Sequence, residues 1–229
     1  MVIGGKHFGQ YTYEHWYDHE YEQNDKPEII IRPEEEKDYA AVEHLTREAF
    51  WNLHCPGCDE HFLLHKMRSA NVFIKELDYV AMYNDEIAGN IVYARSKIIN
   101  EANEYDVITF GPVSVLPAYQ KKGIGKKLIT HTIKKAAELG FNAILIYGYP
   151  EYYSRFGFIN STKYNITNME GNFHDALLAL ELTPNALENI NGKFHEGDIY
   201  KVDKKELEQF EKNFPHKEKL VLDSQMFRE

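Results

Sequence analysis

The sequence is short of cysteine and of long apolar runs. Only Cys55 and Cys58 occur in its 229 residues, so no disulfide framework is expected, and a reducing cytoplasm is the predicted location. No stretch reaches the roughly 18–20 consecutive apolar residues of a membrane span, which argues against a membrane partner. The first residues also lack a basic start followed by an apolar block, so no secretory leader is predicted.

The sequence also has fewer basic than acidic residues. The 26 Lys and Arg residues are outnumbered by 36 Asp and Glu residues, which gives a formal net charge of −10. A field of this sign repels phosphate backbones and anionic lipids, so nucleic acid is not an expected partner. The acidic charge is compatible with an amine-bearing substrate but does not identify one.

The composition is typical of a folded chain. Apolar residues make up 43% of the sequence and aromatic residues 14%, which is enough for one sizeable core. Residues 1–27 are rich in Tyr, His and acidic side chains, and we interpret them as an N-terminal extension. Residues 28–182 carry the periodic elements of the predicted domain. Residues 183–229 are predicted to be a C-terminal extension that packs on this domain.

The clearest secondary-structure signal is a helix over residues 124–140. Its apolar residues recur at helical spacing, and Gly140 is suited to end it. Residues 143–147 are apolar without alternation, as in a strand covered on both faces. With a strand predicted at 105–115, the order is strand, helix, strand, so these two strands should lie parallel. Further strands are predicted at 28–32, 78–83, 87–96, 158–164 and 176–182, and helices at 38–50, 61–69, 151–156 and 203–212.

A glycine-containing turn joins the strand at 105–115 to the long helix. Its sequence is Gln120-Lys121-Lys122-Gly123-Ile124-Gly125. The first turn of a helix has backbone N–H groups without intrahelical partners and carries the positive end of the helix dipole. Glycines let an anion approach these groups, so the turn predicts a pyrophosphate site. The same residues also suit a turn that simply begins a helix, with solvent-exposed lysines.

Two other phosphate-binding motifs do not fit this turn. A dinucleotide fingerprint needs a small residue where Leu128 stands and an acidic residue about twenty positions later, where the chain is apolar. A Walker loop needs Ser or Thr after Gly-Lys, and here that place is taken by Lys127. Neither dinucleotide nor triphosphate chemistry is therefore indicated.

Two motifs taken together resemble a known superfamily. Gln120-x-x-Gly123-x-Gly125, after a strand that ends in Gly-Pro-Val-Ser-Val-Leu-Pro, resembles the acyl-CoA signature of GNAT N-acetyltransferases. The later Tyr-Tyr-Ser-Arg-Phe-Gly-Phe at residues 152–158 is similar to the Tyr-x-x-x-Gly-Phe element of that family. The resemblance covers roughly residues 28–182. It implies a GNAT-like acyl-CoA N-acyltransferase fold, an α/β fold with a central mixed sheet flanked by helices.

The resemblance implies acetyl-CoA as the cosubstrate, with no metal. In this family the strand before the glycine turn is bulged and separates from its parallel neighbour, and its backbone groups pair with the pantetheine arm. In this sequence Val113, Ser114 and Val115 would present those groups, and a backbone N–H near Val113 would meet the tetrahedral oxyanion. The residues implied to bind the pyrophosphate are Gln120, Lys121, Lys122, Gly123, Ile124, Gly125 and Lys126.

The resemblance also implies direct attack of an amine on the thioester within a ternary complex. The departing thiolate needs a proton or a hydrogen-bond donor. Tyr153, four residues before Gly157, stands where the family commonly carries that acid. Tyr149 and Tyr152 are neighbouring phenols that could be mistaken for it.

The general base is not identified from the sequence. A free alkylamine has a pKa of about 10, so it must lose a proton before it attacks. Glu104 and Asp106 lie on or near the strand before the turn, but at its far end. Because no carboxylate occurs between Val107 and Lys121, a base from elsewhere, or a relay through water and backbone carbonyls, is needed.

His54, Cys55, Cys58, His61 and His65 form a cluster between the first two predicted helices. Structural zinc sites usually separate their two ligand pairs by a dozen or more residues, whereas this cluster is denser. Cys-Pro-Gly-Cys resembles a thioredoxin-type dithiol but lacks that fold's preceding strand. We interpret the segment as a turn, with zinc or redox chemistry as the alternatives. Since this segment borders the acceptor site in GNAT enzymes, the resemblance suggests three substrate contacts: Asp59, Glu60 and His61.

The sequence thus predicts an acetyl-CoA-dependent N-acetyltransferase. Its acceptor would be a small-molecule or peptide amine, and the chain is compatible with a homodimer. A catalytically idle acyl-CoA sensor is the first alternative, because no base is evident. A metal-binding interaction protein built on the His and Cys cluster is the second.

Overall fold

The computed structural model describes residues 28–225. The predicted extension at 1–27 lies outside the described residues, as do residues 226–229. Between residues 28 and 225, no helix is long and apolar enough to cross a bilayer. The α-helices of this range are α1 (Tyr39–Phe50), α2 (Glu60–Met67), α3 (Ile124–Glu138), α4 (Pro150–Tyr153) and α5 (Lys204–Glu211). The strands are β1 (Ile30–Pro33), β2 (Tyr79–Tyr83), β3 (Glu86–Ile99), β4 (Glu104–Val115), β5 (Ala143–Tyr147), β6 (Ile159–Asn160), β7 (Ile166–Thr167), β8 (Leu177–Glu181) and β9 (Gly192–His195).

The strands form one mixed sheet. Its order is β1-β2-β3-β4-β5-β8-β6, and β9 pairs with both β3 and β7. Strands β4 and β5 lie parallel, as predicted from the strand, helix, strand order. The other neighbours along the main order are antiparallel. The predicted α/β class with a mixed sheet flanked by helices is therefore confirmed.

The predicted strand at 158–164 is wrong beyond Asn160, where residues Ser161–Tyr164 form a 3₁₀ turn. The Asn160 side chain accepts a hydrogen bond from the Thr162 N–H at 3.0 Å. The Ser161 hydroxyl donates to the Ile166 carbonyl at 2.8 Å. Such local side-chain bonds compete with strand pairing, so the chain turns here.

Helix α3 packs on the sheet through the apolar stripe that its sequence predicts. Ile124, Leu128 and Ile129 are buried, whereas Lys126 and Lys127 are exposed. The beginning of α3 lies very close to β3. A Cβ atom at Gly89 would fall 2.9 Å from a methyl group of Ile124, so only glycine allows this approach.

The sheet has two covered faces. On the first, which we call the α3 face, the core includes Tyr93, Ile108, Phe110 and Leu128. The second, which we call the α1 face, carries two smaller clusters. One joins α1 and α2 to β2 and β3, and the other joins β4 and β5 to β8 and β9.

Residues after 182 contribute directly to the α1 face. In β9, Phe194 lies opposite Ile98 of β3 and is buried. The ring centroid of Phe210 in α5 lies 5.1 Å from that of Phe62 in α2. These contacts extend the sheet and its core beyond the limit predicted for the domain at residue 182.

A buried ion pair joins α5 to α1. The Arg47 side chain is 1% exposed, and its Nε donates to Glu211 Oε1 at 2.8 Å. The other carboxylate oxygen lies 2.9 Å from His61 Nε2. Arg47 also donates to the Pro215 carbonyl at 3.0 Å. Glu211 therefore supplies both the closest counter-ion of Arg47 and the partner of His61 Nε2.

The substitution Glu211→Ala is expected to lower the free energy of unfolding by about 3 kcal/mol, because Arg47 would stay buried without its closest counter-ion. Urea denaturation measures the loss. Glu206→Ala on the same helix is the matched control. Its contact with Lys66 is exposed, at 3.5 Å, so this loss should stay below about 1 kcal/mol. Equal, small losses in the two variants would contradict a stabilising role for the Arg47 pair.

Candidate active site

Strand β4 contains a bulge before its carboxyl end. Ile91 of β3 pairs with Val113 and Tyr93 pairs with Phe110, so Val92 is opposite both Gly111 and Pro112. An extra residue on one strand shifts the alternation of side chains by one position. Ile108 and Phe110 precede the bulge and Val113 and Val115 follow it, yet all four pack on the α3 face.

Beyond this point β4 separates from β5. Their ladder contains one register pair, Ile108 with Ile144. The Leu116 N–H donates to the Ala88 carbonyl of β3. In an antiparallel pair alternate residues direct their backbone groups to the same neighbour, so those of Val113 and Val115 point into the gap between β4 and β5. The Gln120 side-chain amide donates to the Val115 carbonyl at 3.3 Å.

The glycine turn leads directly into α3. Gly123 is the N-cap, with φ of 90°, and Lys121 has φ of 62°. Such positive φ values cost an L-residue about 1–2 kcal/mol, whereas glycine adopts them freely. In the described chain no side chain caps this helix start. Its first backbone N–H groups therefore face the cavity with the positive end of the helix dipole.

The gap and the turn border a single cavity of about 560 Å³. Of the ten residues predicted to bind the cosubstrate, Ser114 and Lys122 do not line it. The Ser114 hydroxyl points to the α1 face and donates to Thr46 Oγ1 at 3.0 Å. Lys122 Nζ lies 5.7 Å from the centre of the Tyr83 ring. The predicted residues that line the cavity are Val113, Val115, Gln120, Lys121, Gly123, Ile124, Gly125, Lys126 and Tyr153.

The cavity has cationic side chains at its glycine-turn end and apolar ones elsewhere. Lys121 and Lys126 line it, and so does Arg155, which sequence reasoning missed. The Arg155 guanidinium lies 4.7 Å from the centre of the Tyr152 ring. The sequence contains one signal for Arg155: it follows Tyr152 by three residues, about one helical turn, so the two side chains are expected to be neighbours. Ala49, Phe50 and Leu53, at the end of α1 and just after it, complete one wall.

Tyr153 lines the cavity beside β4 and the end of β5. Its ring centroid is 5.9 Å from that of Phe110. Burial raises its pKa to about 12, so the phenol keeps its proton throughout the neutral range. A Cβ atom at Gly148, the residue after β5, would fall 2.4 Å from this ring. Gly148 therefore sets how closely Tyr153 approaches the gap.

The two neighbouring tyrosines place their hydroxyl groups elsewhere, although the Tyr152 ring packs edge-on against that of Tyr153, with centroids 5.0 Å apart. The Tyr152 hydroxyl is 3.3 Å from the position of a Cβ atom at Gly125, which places it at the glycine turn. Tyr149 is 57% exposed and does not line the cavity. Of the three phenols, Tyr153 is the one next to the ends of both separating strands.

The predicted acceptor residues at the start of α2 differ in accessibility. Asp59 and Glu60 are half-buried, and burial raises the pKa of Glu60 to about 7. The His61 side chain is 0% exposed, and its ring packs against Phe210 and Phe214. A substrate contact by His61 would require α5 to move away. None of the three lines the cavity.

Of the Cys and His cluster, only Cys58 and His61 are buried in the core on the α2 side, whereas the His65 side chain is 53% exposed. Cys58 Sγ lies 3.5 Å from His61 Nδ1. Burial raises the pKa of the Cys58 thiol and lowers that of His61 to about 4. In the part of the chain from 28 to 225, His, Cys, Asp and Glu side chains do not come together in threes as metal ligands would.

Comparison with known proteins identifies the family. The sequence pattern of the Acetyltransferase (GNAT) family matches residues 10–158, more than half of the chain. The chain belongs to the GNAT acetyltransferase family. The match begins inside the predicted extension and ends well before residue 182.

Two curated relatives come from Escherichia coli strain K12. The uncharacterized N-acetyltransferase YjhQ is 29% identical over 82 residues, which are 36% of this chain and 45% of YjhQ. The chain thus spans less than half the length of that relative. The uncharacterized N-acetyltransferase YhbS is 23% identical over 171 residues, which are 73% of this chain and 97% of YhbS.

Two solved structures share the fold. The crystal structure of E. coli YhbS in complex with CoA has a TM-score of 0.67 at 20% identity, covering 76% of this chain and 92% of that one. A GNAT family acetyltransferase from Brucella melitensis, in complex with acetyl-CoA, has a TM-score of 0.61 at 25% identity. This match covers 76% of this chain and 98% of that one.

The closeness of Gly148 to Tyr153 can be tested by a double-mutant cycle. Gly148→Ala alone is expected to cost about 1–3 kcal/mol of unfolding free energy, because the new methyl group overlaps the Tyr153 ring. In a Tyr153→Ala background the same change should cost little, because the ring is gone. Urea denaturation of the four proteins measures the coupling. Additive losses would show that the two residues do not meet.

Proposed function

We propose that this protein is an N-acetyltransferase that transfers an acetyl group from acetyl-CoA to a primary amine. One observation carries the proposal. A single cavity joins an uncapped, lysine-flanked helix N-terminus to a gap between two parallel strands, and a half-buried phenol lies at the gap. These features match in order the parts of a CoA thioester, which has an anionic diphosphate, an amide-containing arm and a reactive sulfur.

Each end of the cavity suits one part of acetyl-CoA. The backbone N–H groups from Gly123 to Lys126 would bind the pyrophosphate, with Lys121 and Arg155 adding positive charge. The backbone groups of Val113 and Val115 would pair with the pantetheine arm as an added strand pairs. Ser114 supports this segment from the α1 face through its bond to Thr46.

Tyr153 would act on the leaving group. The amine nitrogen attacks the carbonyl carbon, and the oxyanion formed would accept a hydrogen bond from a backbone N–H near Val113. As the carbon–sulfur bond breaks, the sulfur gains negative charge. A phenol that keeps its proton at neutral pH can donate a hydrogen bond to this sulfur, and Tyr153 is such a phenol.

The acceptor is proposed to be a small-molecule or peptide amine. Asp59 and Glu60 follow Leu53, which lines the cavity, and they would attract a protonated amine. None of the described residues that line the cavity is a carboxylate. Within the cavity itself, therefore, no side chain can remove the proton of the amine.

The glycine turn can be tested by acetyl-CoA binding. Gly123→Ala forces a positive φ on alanine and disturbs the backbone N–H groups, so the dissociation constant should rise about tenfold, or about 1.4 kcal/mol. Isothermal titration calorimetry measures it. Gly140→Ala is the matched control, since Gly140 has φ of 84°, ends α3 and has equally open surroundings. This variant should lose similar stability but keep its affinity. Equal affinities in both variants would argue against pyrophosphate binding at the turn.

The role of Tyr153 can be tested by thiol release from acetyl-CoA with a panel of amines. Tyr153→Phe is expected to lower kcat about 10²–10⁴-fold while acetyl-CoA binding persists, because only the acid is removed. Tyr149→Phe, which changes an exposed phenol, should leave kcat unchanged.

The same assay separates the enzyme from an acyl-CoA sensor. The panel contains polyamines, aminoglycosides, amino acids and Lys peptides. If the unaltered protein binds acetyl-CoA but releases no thiol with any of them, the sensor is favoured. Full activity of Tyr153→Phe would instead refute the assignment of the acid.

A further inference from the structure

Glu196, just after β9, lies on the α1 face beside β3. Strand β9 runs antiparallel to β3, with Phe194 opposite Ile98 and His195 opposite Lys97. The chain therefore proceeds towards the part of β3 that pairs with the β4 bulge. Because side chains alternate along an extended chain, Glu196 points to the same face as the buried Phe194.

Two contacts place this segment at the separation of β4 and β5. Ile108 pairs with Ile144, so Gly111 and Tyr147, each three residues further, lie at the same level across the gap. The ring centroid of Tyr147 is 6.0 Å from that of Phe194. On the other side, the Tyr200 hydroxyl donates to the Gly111 carbonyl at 3.3 Å. Glu196 is located between these two contacts.

The Glu196 carboxylate interacts electrostatically with both phenols. After burial, its negative charge is the next largest cause that raises the pKa of Tyr147, to about 12, and that of Tyr200. Thr109 Oγ1 approaches the Tyr200 hydroxyl but makes no hydrogen bond of good geometry within the described chain. Three hydroxyl groups, those of Tyr147, Tyr200 and Thr109, thus lie near Glu196 on the α1 side of the gap.

No other residue between 28 and 225 forms a hydrogen bond or an ion pair with the Glu196 carboxylate. Burial alone raises its pKa to about 7, and the side chain keeps partial exposure. The titratable groups around it are Tyr147 and Tyr200, then Glu170 and His174 beside Tyr147, and Asp198 with its partners His195 and Lys201 on the exposed side.

We propose that Glu196 is the general base of the acetyl transfer, and that the amine enters from the α1 face, opposite the acetyl-CoA cavity. This inference rests on the proposed function. Tyr153 contacts Gly148 on the α3 side of the gap, while Glu196 lies next to Tyr147 on the α1 side. A nitrogen that enters between Tyr147 and Tyr200 would meet a carboxylate and two phenol rings, and such groups attract a protonated amine.

The protons balance in this arrangement. The amine nitrogen begins with three protons as an ammonium group. One passes to Glu196 before the nitrogen–carbon bond forms, because the nitrogen needs a free electron pair to attack, and Glu196 releases this proton to solvent. One ends on the sulfur when the carbon–sulfur bond breaks, and one stays on the amide product. No other reactant is required.

The test is the pH dependence of kcat/KM for Glu196→Gln, measured by thiol release with the best amine of the panel. The unaltered enzyme should gain activity tenfold per pH unit up to about 7 and then level off, because Glu196 must be ionised. The variant should be about 10²–10⁴-fold slower at pH 7. Its rate should then rise with the free amine up to pH about 10, so the deficit narrows at alkaline pH.

Three measurements keep the result specific to Glu196. Glu170→Gln, which removes another carboxylate near Tyr147, should leave the rate and the pH profile unchanged. The acetyl-CoA dissociation constant should be the same in Glu196→Gln. The melting temperature of Glu196→Gln at pH 8 should not fall. A carboxyl whose pKa is raised by burial stabilises the fold below its ordinary pKa and loses that contribution as pH rises through 7.

The outcomes are distinct. If Glu196→Gln has an unchanged rate and an unchanged pH profile, Glu196 is not the general base, but the proposed acetyltransferase function still stands. The assignment would also be overturned if the rise of kcat/KM below pH 7 disappeared in Glu60→Gln and not in Glu196→Gln, because burial raises the pKa of Glu60 to about 7 as well. If the unaltered protein acetylates no amine, both the base and the proposed function are refuted.

Discussion

The bulge at Gly111 and Pro112 is the local feature on which the rest of the site depends. Without the extra residue, Val113 and Val115 would point to the α1 face and Ser114 to the α3 face. With it, the two valines line the cavity, and Ser114 bonds to Thr46 in α1. The bulge also lies where β4 separates from β5. The same irregularity therefore directs the Val113 and Val115 side chains into the cavity and stands at the start of the gap.

Much of the α3 face could be predicted from the sequence because its signals are local. The glycine turn, the amphipathic helix and the unbroken apolar strand are each contained in a few consecutive residues. Tyr153 depends on a short motif in the same region. Arg155 lies inside that motif, three residues after Tyr152, but its entry into the cavity depends on the 3₁₀ turn of Ser154–Phe156 that follows α4.

The α1 face could not be predicted in the same way, because its contacts join distant parts of the chain. Strand β9 has four residues and one fully buried side chain, Phe194, which is too few for a recognisable alternation. The sequence places His61 at the start of a predicted helix, which is compatible with a substrate contact. Its burial depends on Glu211 and on the aromatic rings of α5, about 150 residues later.

The charge of the cavity differs in sign from the net charge of −10. The cations of the cavity, Lys121, Lys126 and Arg155, belong to the α3 side. Asp59 and Glu60 belong to the helix layer of the α1 side, where Glu196 also lies. Under the proposed function, an anionic thioester would be attracted to one side of the gap and a cationic amine to the other. Neither substrate would then have to pass the site of the other.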